Sequence, residues 1–405
     1  MGEMTIFGYK LLIFMKKIIF SFFMVLISLN GYSQTTKVLN GNKEKEFIWV
    51  DDSTGQFYYK KKLYTGDYEE YHYSGQQHKK GSFLNGKRKG VWEFYYENGQ
   101  LLMKGSFING EMNGIWEYYH ENGPLYSKGS YLYGDSTGVW VKYYGNGQLS
   151  WKGSYLNGER DGIWEDYHEN GKLESKGTFL NGKLEGDWEL FSENGNLSSK
   201  CFYHNGNVNG VYEDYHKNGK LDKRGSFLHG KQDGIWESYY ENGQLSMKGS
   251  YLNGIMEGAW ELYYENGLLS SKGSFLNGER NGVWEFYHEN GQLWEKGSYL
   301  HGEKNGICEE YFENGKLLSK GSYLKGKKKG VWEEYFDNGQ LWEKGSYLNG
   351  KRNGLWNYFY SDGTIKEVGS YLNDKKNGVW KIFDNDTNKI TKMTYENGVV
   401  LDMTN

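Results

Sequence analysis

Residues 90–101 read GVWEFYYENGQL, and residues 282–293 read GVWEFYHENGQL; eleven of the twelve letters agree. Taking the tryptophan as a reference point, the phrase recurs at Trp92, Trp116, Trp140, Trp164, Trp188, Trp236, Trp260, Trp284, Trp332, Trp356 and Trp380. Every gap is 24 residues or a multiple of 24. Tyr212 and Cys308 fill the two skipped places and Tyr68 extends the series upstream, making 14 repeats without insertion or deletion. A fixed period of this length is the mark of a repeat architecture.

Each repeat holds three or four glycines and two Asn-Gly-type turns, which no helix of that length tolerates. Two short strands and two turns remain. WEFYY is one strand, QLLMKGSF the other, and Asn98-Gly99 between them predicts a two-residue type I′ hairpin turn. In that register Tyr96 opposes Leu101, Glu93 opposes Lys104, and the Trp92 indole lies over Gly105. The acid recurs in 11 of the 14 repeats and a base opposite it in 13, as cross-strand charge partners require. The second turn, LNGKRKG (84–90), reads as a longer connection with a glycine at each end. The fold expected is all-β, an elongated solenoid or meander of about 14 stacked hairpins in which each repeat is stabilised by its neighbours.

Composition agrees. Glycine is 58 of 405 residues, proline occurs once, and aromatics make up 18%. Disordered Gly-rich chains lack that aromatic content. The net charge of −4 gives no basic footprint for nucleic acid. The segment from Met15, MKKIIFSFFMVLISLNGYSQ, has the charged, apolar and small-residue regions of a secretory signal. Residues 1–33 are therefore expected to be a signal peptide with its true start at Met15, placing the mature chain in the periplasm, on the cell surface or outside the cell. Residues 34–65 read as a linker with a degenerate first hairpin, 66–380 as the array, and 381–405 as a degenerate C-terminal cap, where Thr387 and Met393 replace glycines.

The segment KGSYLNGKRNGLWNYFYSDG (344–363) resembles the MORN repeat, and its "ENG" and "KGSY" phrases are closer still to the MORN-repeat variant of the YwqK-like antitoxin family. The resemblance covers about residues 64–400. It implies an extended all-β array without enzymatic activity. It also implies a role as scaffold for another protein, as neutraliser of a toxin, or as binder of phospholipid or glycan.

No constellation suggests catalysis. Glu93 and Ser106 recur in nearly every repeat, whereas an active site is one preorganised arrangement. No cofactor is expected. His72, His120, His168 and His216 are 48 residues apart, about 20 Å along stacked strands, and cannot share a metal. Cys201 stands at a glycine place and Cys308 at a tryptophan place, too far apart for a disulfide. Trp and the later Phe or Tyr (Trp92, Phe107) fall on one face and Tyr95 on the other. Trp151, Trp294 and Trp342 lie off the repeat and are the candidate partner-binding aromatics.

Overall fold

The computed structural model describes residues 36–38, 46–51, 56–59, 62–387 and 389–404. The proposed leader, 1–33, lies outside them. Every regular element among the described residues is a β-strand. Contacts divide the chain into two compact units, Met1–Pro124 with Tyr131–Gly134, and Leu125–Ser130 with Asp135–Asn405. Both are built from the same 24-residue hairpin, so the all-β meander of stacked hairpins is what the sequence specifies.

In the first unit the tryptophan strand Lys87–Tyr95 pairs antiparallel with Gln77–Leu84 before it and Leu101–Ile108 after it. In the second unit Gly162–Tyr167 pairs in the same way with Leu149–Leu156 and Leu173–Leu180. Glu93 faces Lys104 and Trp92 faces Gly105 as expected. The final strand, Val399–Thr404, pairs with Ile390–Glu396. Before the array, Gln56–Tyr59 pairs with Glu46–Asp51 and with Lys62–Leu63. There Phe57 packs against Phe83 at 4.3 Å, and its backbone N–H donates to Gly86 O.

The two turns exchange the characters expected of them. Asn85 and Gly86 both have positive φ, 50° and 74°, with Leu84 opposite Lys87. This is the two-residue type I′ turn, and it sits in the supposed longer connection. At "ENG", Gly99 alone is left-handed (φ 81°). Its N–H donates to Tyr96 O at 3.0 Å, and Tyr96 N–H donates to Gln100 O. That is a type I turn closed by a glycine bulge. The loop is one residue longer than expected, so Tyr95, not Tyr96, opposes Leu101. Leu102 becomes an unpaired bulge residue, and the register of Phe94 with Met103 and Glu93 with Lys104 is recovered beyond it.

The reason lies in the asparagine side chain. Asn98 Oδ1 accepts the N–H of Gln100 inside the loop, while Nδ2 donates to Glu121 O of the next repeat at 2.9 Å. The same strut joins Asn170 to Glu193 and Asn242 to Glu265. At the other edge the type I′ glycine reaches back, with Gly110 N–H on Arg88 O and Gly182 N–H on Arg160 O. Neighbouring repeats are thus tied at both edges by bonds that recur with the period.

Candidate interaction surface

Alternation along the strands gives the sheet two faces with different chemistry. The inner face holds the eleven tryptophans of the repeat position, which are 0% to 7% exposed. Each indole leans back over the glycine of the preceding repeat, not over the one it opposes in register. A Cβ on Gly153 would come within 2.2 Å of the Trp164 ring, and one on Gly81 within 2.3 Å of Trp92. The Trp164 indole N–H donates to Ser154 O at 3.1 Å. Phe179 meets the ring edge-on, and the Arg160 guanidinium lies 4.1 Å from its centre. Aromatic edge, backbone and cation therefore enclose the Trp164 indole, and Arg88, Arg280 and Arg352 stand likewise over Trp92, Trp284 and Trp356.

The two cysteines follow from this geometry. Cys201 carries a side chain where an indole would lie, and the ring above it is the smaller Tyr212. Met393, the other occupied glycine place, has no following tryptophan to accommodate. Cys308 leaves an indole-sized space filled by polar groups. Glu295, Cys308 and Glu310 bring ligand-type atoms within 4.8 Å of one another. The cation among them is the chain's own: Lys304 Nζ lies 2.8 Å from Glu295 and 3.6 Å from the Cys308 sulfur. Burial pushes the Cys308 thiol up to about 11, so it stays protonated at neutral pH.

The outer face carries a charge ladder. Glu285 lies 2.9 Å from both Lys272 and Lys296, on the strands before and after it, and accepts a bond from Tyr287. These partners, Tyr287 first, hold its carboxyl down at about 2. Glu237 is held by Lys248, Tyr239 and Arg224 in the same way. From Tyr95 onward, tyrosines at this place such as Tyr239 and Tyr287 are half-buried and bonded to the acids.

The histidines also find structural employment. His168 Nε2 bonds to Phe191 O and His216 Nε2 to Tyr239 O, as Tyr144 and Tyr240 hydroxyls bond to the equivalent carbonyls. Histidine substitutes for tyrosine as a tie between repeats.

Most of the exposed large apolar side chains are aliphatic. The residue before each tryptophan is a β-branched or leucine side chain in most repeats: Val139 is 66% exposed, Ile163 58%, Ile235 61%, Ile307 57% and Leu355 59%. The leucine before each type I′ turn, such as Leu156 or Leu348, is about half exposed beside it. Sequence reasoning missed this row, although its signal was present. In G-V-W the valine is one step from a buried residue and so must face outward. Of the off-repeat tryptophans, Trp151 is half-buried on the inner face, stacked 5.0 Å from Trp164. Trp294 and Trp342 occupy the bulge position two repeats apart and are 39% and 43% exposed; Trp294 stacks on Phe286 and Trp342 leans on Phe336. The three do not form one patch: Trp151 lies on a different strand position from the other two.

The family described as MORN repeat variant matches eleven segments: 88–109, 112–133, and nine consecutive ones from 160–181 to 352–373. No curated protein matches the chain. Among solved structures, one titled as the crystal structure of TcdB2-TccC3-Cdc42 is similar at 10% identity and a TM-score of 0.15, over 86% of this chain and 26% of that one. A Photorhabdus luminescens Tc holotoxin pore is similar at 11% identity and a TM-score of 0.15, over 87% and 24%. The chain thus spans about a quarter of the length of those proteins.

Proposed function

Because the chain belongs to the MORN repeat variant family, a non-catalytic repeat type, we propose that it is an exported scaffold that binds another protein along its outer face. The observation that supports this is the aliphatic row. Val139, Ile163 and Ile235 are each more than half exposed on a rigid, doubly tied sheet. Folded proteins keep such contiguous apolar surface small unless something covers it. The Glu–Lys ladder alongside supplies a polar rim and fixes the sheet that presents the row.

Crosslinking and mass spectrometry in the host envelope tests the reading. The full chain should capture a protein partner. The triple variant Val139→Asp, Ile163→Asp, Ile235→Asp should lose it while keeping its circular dichroism and tryptophan emission. Undiminished capture by the folded variant would show that the row is not the binding surface. A toxin as the captured protein would narrow the role to the antitoxin form. Capture by liposomes or polysaccharide alone would replace it with lipid or glycan binding. Export is checked separately, by a mature N-terminus at Gln34.

A further inference from the structure

The aliphatic row carries charges that change sign along the chain. Each leucine of the row lies directly opposite the residue that leaves the type I′ turn. Leu276 faces Glu279 and Leu300 faces Glu303, but Leu324 faces Lys327, Leu348 faces Lys351 and Leu372 faces Lys375. Directly opposed residues share a face, so these charges flank the row. In the repeat before them Leu252 faces Ile255, and Glu257 lies on the same face two residues further along, opposite Ser250. Glu279, Glu303, Lys327, Lys351 and Lys375 are exposed. Nearby on that face are Lys329, opposite Ser322 two residues beyond Lys327, His301, 3.6 Å from Glu279, and Glu257, which accepts the backbone N–H of Asn277.

The sign change falls between Glu303 and Lys327. Turning the row about a two-fold axis at that point places Glu303 on Lys327 and Glu279 on Lys351, with Ile255, opposite Leu252, meeting Lys375. The row is therefore complementary to itself in the antiparallel sense, as an isologous two-fold contact requires. We infer that two copies of this chain pair antiparallel through the outer-face row of residues 257–379, with the axis between Ile307 and Val331. A second copy also has the same spacing, about 10 Å per two-strand repeat, so contacts stay in step over successive hairpins. Ten aliphatic side chains from Leu276 to Val379, 43% to 59% exposed, present on the order of 900 Å² of apolar surface, against about 800 Å² per partner in a standard interface. The charges set direction and register, and the aliphatic row supplies the buried area.

Light scattering on the size-separated full chain tests this. The expected mass is twice 47.1 kDa. Glu279→Lys with Glu303→Lys should halve it, and so should Lys327→Glu with Lys351→Glu. Mixing the two variants should restore the doubled mass, because each then presents the complement of the other. Circular dichroism establishes that both variants are folded. A wild-type chain that stays monomeric at its highest soluble concentration overturns the inference, as does a doubled mass in both variants. This inference goes beyond the scaffold reading: a monomeric chain that still captures its crosslinked partner would sink the self-pairing and leave the scaffold standing.

Discussion

The inner face around Trp92 and Trp116 differs from the inner face around Cys308. In the first, hydrocarbon fills most of the space beside the indoles: Met103, Met112 and Tyr118 pack against a cluster that includes Phe94 and Phe107, with the Arg88 guanidinium 4.9 Å over Trp92. In the second, an ion pair fills it: Glu295 is 4% exposed and paired with Lys304. The backbone register is the same in both. The strand register is therefore the invariant of the repeat, and what fills the inner face is exchangeable when every buried charge has a partner. Replacing a buried pair by hydrocarbon is often neutral, whereas removing one member is not.

The largest expected effect separates the two regions. Trp116→Ala should destabilise its repeat by about 3–5 kcal/mol, whereas Cys308→Ala, with no ring to lose, should cost less than about 1.5 kcal/mol on the same scale. Hydrogen exchange resolved by repeat is the suitable measurement, because a long array need not unfold in one step. Equal costs would erase the distinction. Next, Lys304→Met leaves the Glu295 carboxylate buried without its cation and should cost about 3–5 kcal/mol. The double variant Glu295→Met, Lys304→Met should return near wild type, and a double as costly as the single would show the pair to be uncoupled.

A smaller contrast comes from glycine. Gly105→Ala would put a Cβ 2.1 Å from the Trp116 ring and should cost about 1–3 kcal/mol as overpacking. At Gly297 the nearest atoms are Glu295 Oε1 at 3.2 Å and Cys308 Sγ at 3.5 Å. Gly297→Ala should therefore be far milder, read by the same exchange experiment. The smallest difference is predicted on the outer face, where both regions carry the same ladder. Glu285 and Glu237 are held at about 2 against a usual 4.5, so their stabilisation is complete above about pH 4.5 and fades as pH falls toward 2. An acid titration followed by exchange should show this loss, and a flat profile between those limits would contradict the ladder.

Much of this was legible in the letters. The period, the strand pairing, and the facing of Glu93 with Lys104 follow from spacing and parity alone. The turn types did not, because Asn85-Gly86 and Asn98-Gly99 are the same dipeptide. What separates them is whether the asparagine side chain must reach Glu121 in the next repeat, a contact made across the sheet and invisible within a hairpin. The direction of the indole was hidden for a related reason. Parity places Trp92 on a face but does not say which neighbouring glycine, Gly81 or Gly105, it covers. At the candidate surface, the tryptophans that break the pattern are the conspicuous letters, yet Trp151 stacks inward on Trp164. The aliphatic row obeyed the pattern throughout and was overlooked for that regularity.

The turns have one further consequence, for chemical durability. Asn-Gly is the dipeptide most prone to deamidation, because the glycine nitrogen attacks the asparagine side chain to close a succinimide. In this chain that nitrogen is engaged in both turns: Gly99 N–H is held by Tyr96 O, and Gly110 N–H by Arg88 O of the preceding repeat. Closing the ring requires breaking the bond that shapes the loop or joins two repeats. A sequence dense in labile dipeptides thus ages as a folded object, with its lifetime set by how often a hairpin opens.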